Sequence, residues 1–195
     1  MAHLRDDALG EFEVPDYEDL PEDLQERIDE ESERAGFTPN VFSAMARRPS
    51  QFRAFFDYHD ALVEESPLER HEIEMLVVVT SGVNDCLYCV VAHGALVRVY
   101  AKDPHLADQL ATNWRTADLS ARHEAMCAFA EQLTDDPASV SHAEMEALRE
   151  HFTDEEIWDI VTTVGFYNLS NRLATAFDMR PNEEFYQLGR DQTKD

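Results

Sequence analysis

The sequence predicts an all-α protein. Three observations carry this expectation. Apolar residues recur at helical spacing through most of the chain. Ser, Thr or Pro followed by acidic residues precedes those runs, as at helix starts. Hairpin turns of the Asn-Gly or Asp-Gly kind are all but missing. The 195 residues, 44% of them hydrophobic, suffice for one domain with a substantial core. We expect an acidic arm over residues 1–20, one helical domain over 21–185 and a tail over 186–195.

The elements follow in order. Residues 1–20 are polar and acidic, and a loosely held arm is expected. PEDLQERIDEESERA opens with Pro21, carries Leu24 and Ile28 at helical spacing and stops at Gly36. It reads as an exposed amphipathic helix. GFTPN is a turn. VFSAMARRPSQFRAFFDYHDALV divides into two helices near Pro49, because the residue before a proline is biased away from helix. Ser66, with Pro67 and Glu69 behind it, marks another helix start. LVVVT is β-rich in composition, yet Ile73, Leu76, Val77 and Thr80 continue one helical face, which favours helix. SGVND is expected to break or kink that helix, and Cys86 to begin the next. DPHLADQLATNWRTADL reads as a helix and a turn. From Ser120 an amphipathic helix turns Met126, Phe129, Ala130 and Leu133 inward. SHAEMEALREHF and TDEEIWDIVTTVGFYNLSNRLATAF complete the set, each with a Ser or Thr cap and an acidic first turn. Glu74 stands twelve positions before Cys86, and Asp159 twelve before Asn171. An ancient duplication and coincidence both account for that echo.

Asp plus Glu number 41 against 16 Lys plus Arg, a formal charge of −25. Such a chain repels phosphate backbones and anionic lipid, so nucleic-acid and membrane-surface roles are not expected. Only Lys102 and Lys194 are lysines. An acidic, lysine-poor surface suits work in high salt, where counterions screen self-repulsion. It also suits an ordinary acidic cytosolic protein. The N-terminal stretch has no apolar core of a signal peptide, and the apolar runs fall short of the roughly 18 residues a membrane span needs. A cytoplasmic location is therefore expected. A reducing compartment disfavours structural disulfides, so a CxxC pair there points to catalysis or metal binding.

That pair lies in DCLYCVVAHGAL. On a helix, Cys86 and Cys89 sit at i, i+3 and Cys89 and His93 at i, i+4, all on one face. A helix N-terminus stabilises a thiolate, and an imidazole can take the proton. Two thiols at this spacing can close a disulfide, so one resolves an oxidised sulfur on the other. Two plainer readings stand beside this one. Cysteines are common in cores, and Cys127 is read that way. Two thiolates with an imidazole and a carboxylate could also hold zinc, although structural zinc sites usually bring a second Cys or His pair, which is missing.

The run of Glu74, Cys86-Leu87-Tyr88-Cys89 and His93 resembles the signature of the alkyl hydroperoxidase D-like branch of the carboxymuconolactone decarboxylase superfamily. GFTPNVFSAMARRPS and FYNLSNRLATAF resemble the peroxidase-related subgroup of that branch, and the likeness spans about residues 20 to 185. The resemblance implies an all-helical subunit assembled as a trimer or hexamer, with no dissociable cofactor or metal. It implies that Cys89 attacks the hydroperoxide, that Cys86 resolves it, and that His93 and Glu74 relay protons. Electrons would come from an external dithiol or a redox protein. In many CxxC sites the N-terminal cysteine attacks instead, so the order stays open on the residues alone. The best-known family pattern has His where Tyr88 stands. The chain is then a slower peroxidase, or Tyr88 supplies the hydrogen bond, or Tyr88 merely packs.

Glu74 lies in an apolar setting, and burial would let it exchange protons near neutrality. Glu72 is expected at the surface. Among the remaining histidines, His59 and His71 are the two to check for proximity. Two other functions compete: a thiol-disulfide redox adaptor with little peroxidase activity, and the lactone chemistry of the wider superfamily, which does not need a CxxC.

Overall fold

The computed structural model describes residue 4 and residues 7–191. Among these residues there are helices and turns and no strand. The helices are α1 (Glu22–Ala35), α2 (Asn40–Met45), α3 (Pro49–Glu64), α4 (Arg70–Val83), α5 (Leu87–Ala101), α6 (Leu106–Asn113), α7 (Ala121–Asp135), α8 (His142–Arg149), α9 (Asp154–Ala176) and α10 (Glu183–Gln187). The all-α expectation is met.

Local chemistry sets most boundaries. Gly36 ends α1 at φ 83°, a conformation that costs glycine least. Pro49 occupies the first turn of α3, where its missing N–H costs nothing. Ser120, Ser141 and Thr153 cap α7, α8 and α9 through side-chain oxygens. One detail differs from expectation. The helix after Ser66 begins only at Glu69, which forms a capping box with Glu72, while Ser66 accepts from the Leu68 N–H instead. SGVND breaks the helix as expected, after Val83 and not at Gly82. α4 runs through Val83, and a Cβ on Gly82 would lie 2.4 Å from the Ala111 carbonyl oxygen of α6. The glycine permits a close crossing rather than a kink. The chain turns at Asp85, which takes φ 52°.

α4 is the central helix, flanked by α5, α6, α7 and α9. Every residue from Glu72 to Ser81 is buried, so no solvent face exists to display an amphipathic stripe. One core cluster lies around Leu76, Met126, Ala130 and Ile160. Another, which includes both site cysteines, gathers Phe42, Phe52, Phe56 and Met179. Phe42 and Phe56 stack at 4.1 Å between ring centroids. The expected loose arm is packed from Ala8 onward. Ala8, Leu9 and Leu20 are buried, and Gly10 N–H donates to the Phe177 carbonyl at 3.1 Å. Its first residues other than Leu4 lie outside the described residues. No helix among the described residues is long and apolar enough to cross a membrane.

Candidate active site

The turn between α4 and α5 places the cysteines. Cys86 is the N-cap of α5 and its N–H donates to the Ser81 carbonyl at 2.9 Å. Asn84 donates to the side-chain oxygens of Asn168 (3.1 Å) and Asn171 (3.0 Å), and Asn171 donates to Ser81 Oγ at 3.0 Å. This amide network ties the turn to α9, whose side of the site is FYNLSNRLATAF. Both cysteines are unpaired and buried.

The two thiols titrate as one unit. The Cys89 thiol beside it holds Cys86 down to about 6; burial opposes this, and the Cys89 amide, Thr175 and Asn171 reinforce it. Cys89 is pushed well above the ordinary thiol value by Cys86 first and by burial second, with Ser170 and Asn171 opposing. Its sulfur lies 3.9 Å from Ser170 Oγ. Within the pair Cys86 is the lowered thiol and Cys89 the raised one. Cys127 is buried in another part of the core and pushed up to about 12 by burial, which leaves it inert.

Glu74 and His93, paired only by the family resemblance, meet in the structure. His93 Nδ1 lies 2.7 Å from Glu74 Oε2. The inward position of Glu74 is correct, but its expected proton exchange near neutrality is not. Burial raises its carboxyl, and His93, Arg70 and His59 more than offset that, so it sits below the usual carboxylate range. Arg70 Nη2, 2.8 Å from Glu74 Oε1, is the partner that sequence reading missed. Tyr167, also missed, packs edge-on against His93 at 4.8 Å between ring centroids. Burial and the nearby Glu74 push its phenol well above the ordinary value. The i, i+4 relation of Arg70 to Glu74 was the one available signal.

A cavity of about 380 Å³ opens onto this machinery. Cys89, His93, Tyr88 and Tyr167 line it, whereas Cys86 does not. Among the described residues His93 makes no hydrogen bond to either sulfur. Tyr88 spends its hydroxyl accepting the Val41 N–H at 3.0 Å, so it holds the first turn of α2. His59 lines the same cavity and pairs with Asp60 at 3.0 Å. His71 instead pairs with Glu69 and packs against His123, away from the sulfurs. Glu72 is the clear correction. It is 3% exposed, because α7 covers the face that α4 was expected to show to water. Arg122 satisfies it from Nε at 2.7 Å and also binds Glu156 at 2.7 Å. A more open cleft of about 690 Å³ near Tyr58 and Trp158 contains neither cysteine nor His93. Among the described residues no group of three or more His, Cys, Asp or Glu is placed to hold a metal ion.

The comparisons bear on the fold and the family. A family model described as the carboxymuconolactone decarboxylase family matches residues 49–132. The chain is similar to a solved alkylhydroperoxidase AhpD core, a peroxidase-related protein from Ralstonia eutropha JMP134. Identity is 50% and the TM-score 0.91, covering 93% of this chain and 97% of that one. A peroxidase-related protein from Silicibacter sp. TM1040 shows 38% identity and a TM-score of 0.89, over 97% of this chain and all of that one. The debrominase Bmp8 shares the fold alone, at 18% identity and a TM-score of 0.73, over 84% of this chain and 88% of that one. Curated proteins give no match. The fold and dithiol turn are those of an all-helical CxxC protein. The chain belongs to the carboxymuconolactone decarboxylase family, in its alkyl hydroperoxidase D-like branch.

Proposed function

We propose that the chain reduces organic hydroperoxides by a Cys86/Cys89 dithiol cycle. One observation carries the reading. A cysteine pair with one thiol held near 6 adjoins a cavity that is also lined by a histidine paired to a buried carboxylate. Cys89 makes the attack, because of the two sulfurs it alone lines the cavity. Its thiol proton passes to the Cys86 thiolate. The Cys89 sulfur takes the terminal peroxide oxygen and the O–O bond breaks. His93, in its protonated form, gives its proton to the leaving alkoxide, which departs as an alcohol. Cys86 then displaces water from the Cys89 sulfenic acid and closes the disulfide. An external dithiol reduces that disulfide, is itself oxidised, and returns the protons. Glu74 orients His93, and Arg70 fixes Glu74. The reaction needs no metal or dissociable cofactor on this route. Assembly as a trimer or hexamer belongs to the same reading.

Burial of both sulfurs favours small molecules over a bulky protein partner, which ranks the redox-adaptor reading second. Lactone chemistry leaves the dithiol without a task. The test is dithiol-driven consumption of cumene hydroperoxide by wild type, Cys86→Ser and Cys89→Ser. Wild type turns over, Cys86→Ser stops after one sulfenic acid on Cys89, and Cys89→Ser is inactive. Unchanged turnover in Cys89→Ser would sink the proposal.

A further inference from the structure

The cavity is larger than the chemistry alone requires. Its walls include Phe42, Phe55, Phe56, Tyr100, Phe166 and Phe185, and 380 Å³ has room for a body of roughly a dozen non-hydrogen atoms. In a chain with 41 acids and 16 bases, three arginines among the described residues line this one cavity, against the single described carboxylate of Glu31. Arg70 is committed to Glu74. Arg34 is largely exposed at the rim and pairs with Glu31. Arg27 differs. Among the described residues it binds Asp60 through Nη2 alone, at 2.9 and 2.8 Å, which leaves Nε and Nη1 without an acid there. Its guanidinium also lies 5.9 Å and 6.0 Å from the ring centroids of Phe42 and Phe56, so the cation borders the aromatic wall.

We propose that the cavity binds an apolar carboxylate, with Arg27 receiving the carboxylate and the aromatic wall the body. Taken with the peroxidase reading, on which this step rests, the substrate is a hydroperoxide of an apolar carboxylic acid. Arg27 is then a specificity-determining residue. The overall charge of −25 repels such an anion at long range, so selectivity must arise locally at Arg27. The carboxylate would add a charge-assisted, planar contact that a neutral amide of the same shape lacks.

The test separates binding from turnover. Calorimetry compares 4-phenylbutyrate with 4-phenylbutanamide on the reduced, full-length protein. The acid binds about tenfold tighter to wild type. Arg27→Gln abolishes that preference while amide affinity stays the same. Asp60→Asn breaks the same ion pair but leaves the cation, and it keeps the preference. Equal binding of acid and amide to wild type overturns the inference, as does loss of the preference in both variants. In parallel, kcat/KM is measured for a carboxylated fatty hydroperoxide and for cumene hydroperoxide. The ratio favours the acid in wild type and falls in Arg27→Gln. Acid-selective binding without turnover of either peroxide would leave this site standing and remove the peroxidase reading.

Discussion

Replacing Glu74 with Gln removes one charge at the centre of the proposed relay and changes almost no volume. The wild-type carboxylate accepts from His93 at 2.7 Å and from Arg70 at 2.8 Å, and its side chain is 2% exposed. Gln retains one acceptor, so one of these charge-assisted bonds is replaced by an amide N–H facing a donor. Such bonds contribute about 1.5–3 kcal/mol each. Arg70 is 31% exposed and can turn to water, which places the loss at about 2 kcal/mol. For a chain of this length that lowers Tm by about 4–8 °C. The catalytic effect is larger. His93 loses the group that orients it and stabilises its charged form, and positioned acid–base groups contribute about 10²–10⁴-fold. Stopped-flow oxidation of the reduced variant by cumene hydroperoxide, beside a thermal melt, reads both quantities. A folded Glu74→Gln protein within about threefold of wild-type rate would refute the assignment of the pair to proton transfer.

Other expectations follow from the same geometry. Thiolate absorbance of the reduced protein rises through an apparent pKa of about 6, because the lowered thiol is charged above that pH and protonated below it. A single transition near 9, the ordinary thiol value, would contradict the shared-proton pair. Glu72 is lowered from 4.5 to about 2: burial raises it, and His123 and Arg122 outweigh that. Its stabilisation is fully present above 4.5 and is lost as pH falls toward 2, on the order of 3 kcal/mol. Denaturant titrations at pH 6 and pH 3 check it, and Glu72→Gln should flatten the difference. Gly82→Ala drives a Cβ to within 2.4 Å of the Ala111 carbonyl oxygen and should cost about 1–3 kcal/mol. Gly165→Ala, with nothing within 4 Å of the new Cβ, should stabilise α9 by about 0.5–1 kcal/mol. Thermal melts compare the two.

Much of the fold was legible because caps and breakers act locally. Ser120, Thr153, Gly36 and Pro49 each do at their own positions what short-range chemistry dictates. The Glu74–His93 meeting was legible only through the family resemblance; physically, two helices joined by a short turn bring their facing residues together. What stayed hidden depends on distant packing. Glu72 looks like a surface acid until α7 covers it with Arg122. The close crossing of α6 over Gly82 leaves no signal near that position in the sequence. The Cys86 thiol, lowered chiefly by Cys89, is lowered further by Thr175 and Asn171, some 85 to 89 positions along the chain. Helix α10 is a single short turn-and-a-half whose Phe185 is held at the cavity wall, and no periodicity announces it.

The central claim is that a hydroperoxide oxidises the Cys86/Cys89 pair to a disulfide. The measurement is titration of the reduced protein with hydrogen peroxide and with cumene hydroperoxide, followed by mass-spectrometric mapping of the cysteines. The account predicts loss of two of the three thiols, a Cys86–Cys89 disulfide, and an intact Cys127. Peroxide consumed with both site thiols still free, or oxidation confined to Cys127, would contradict it.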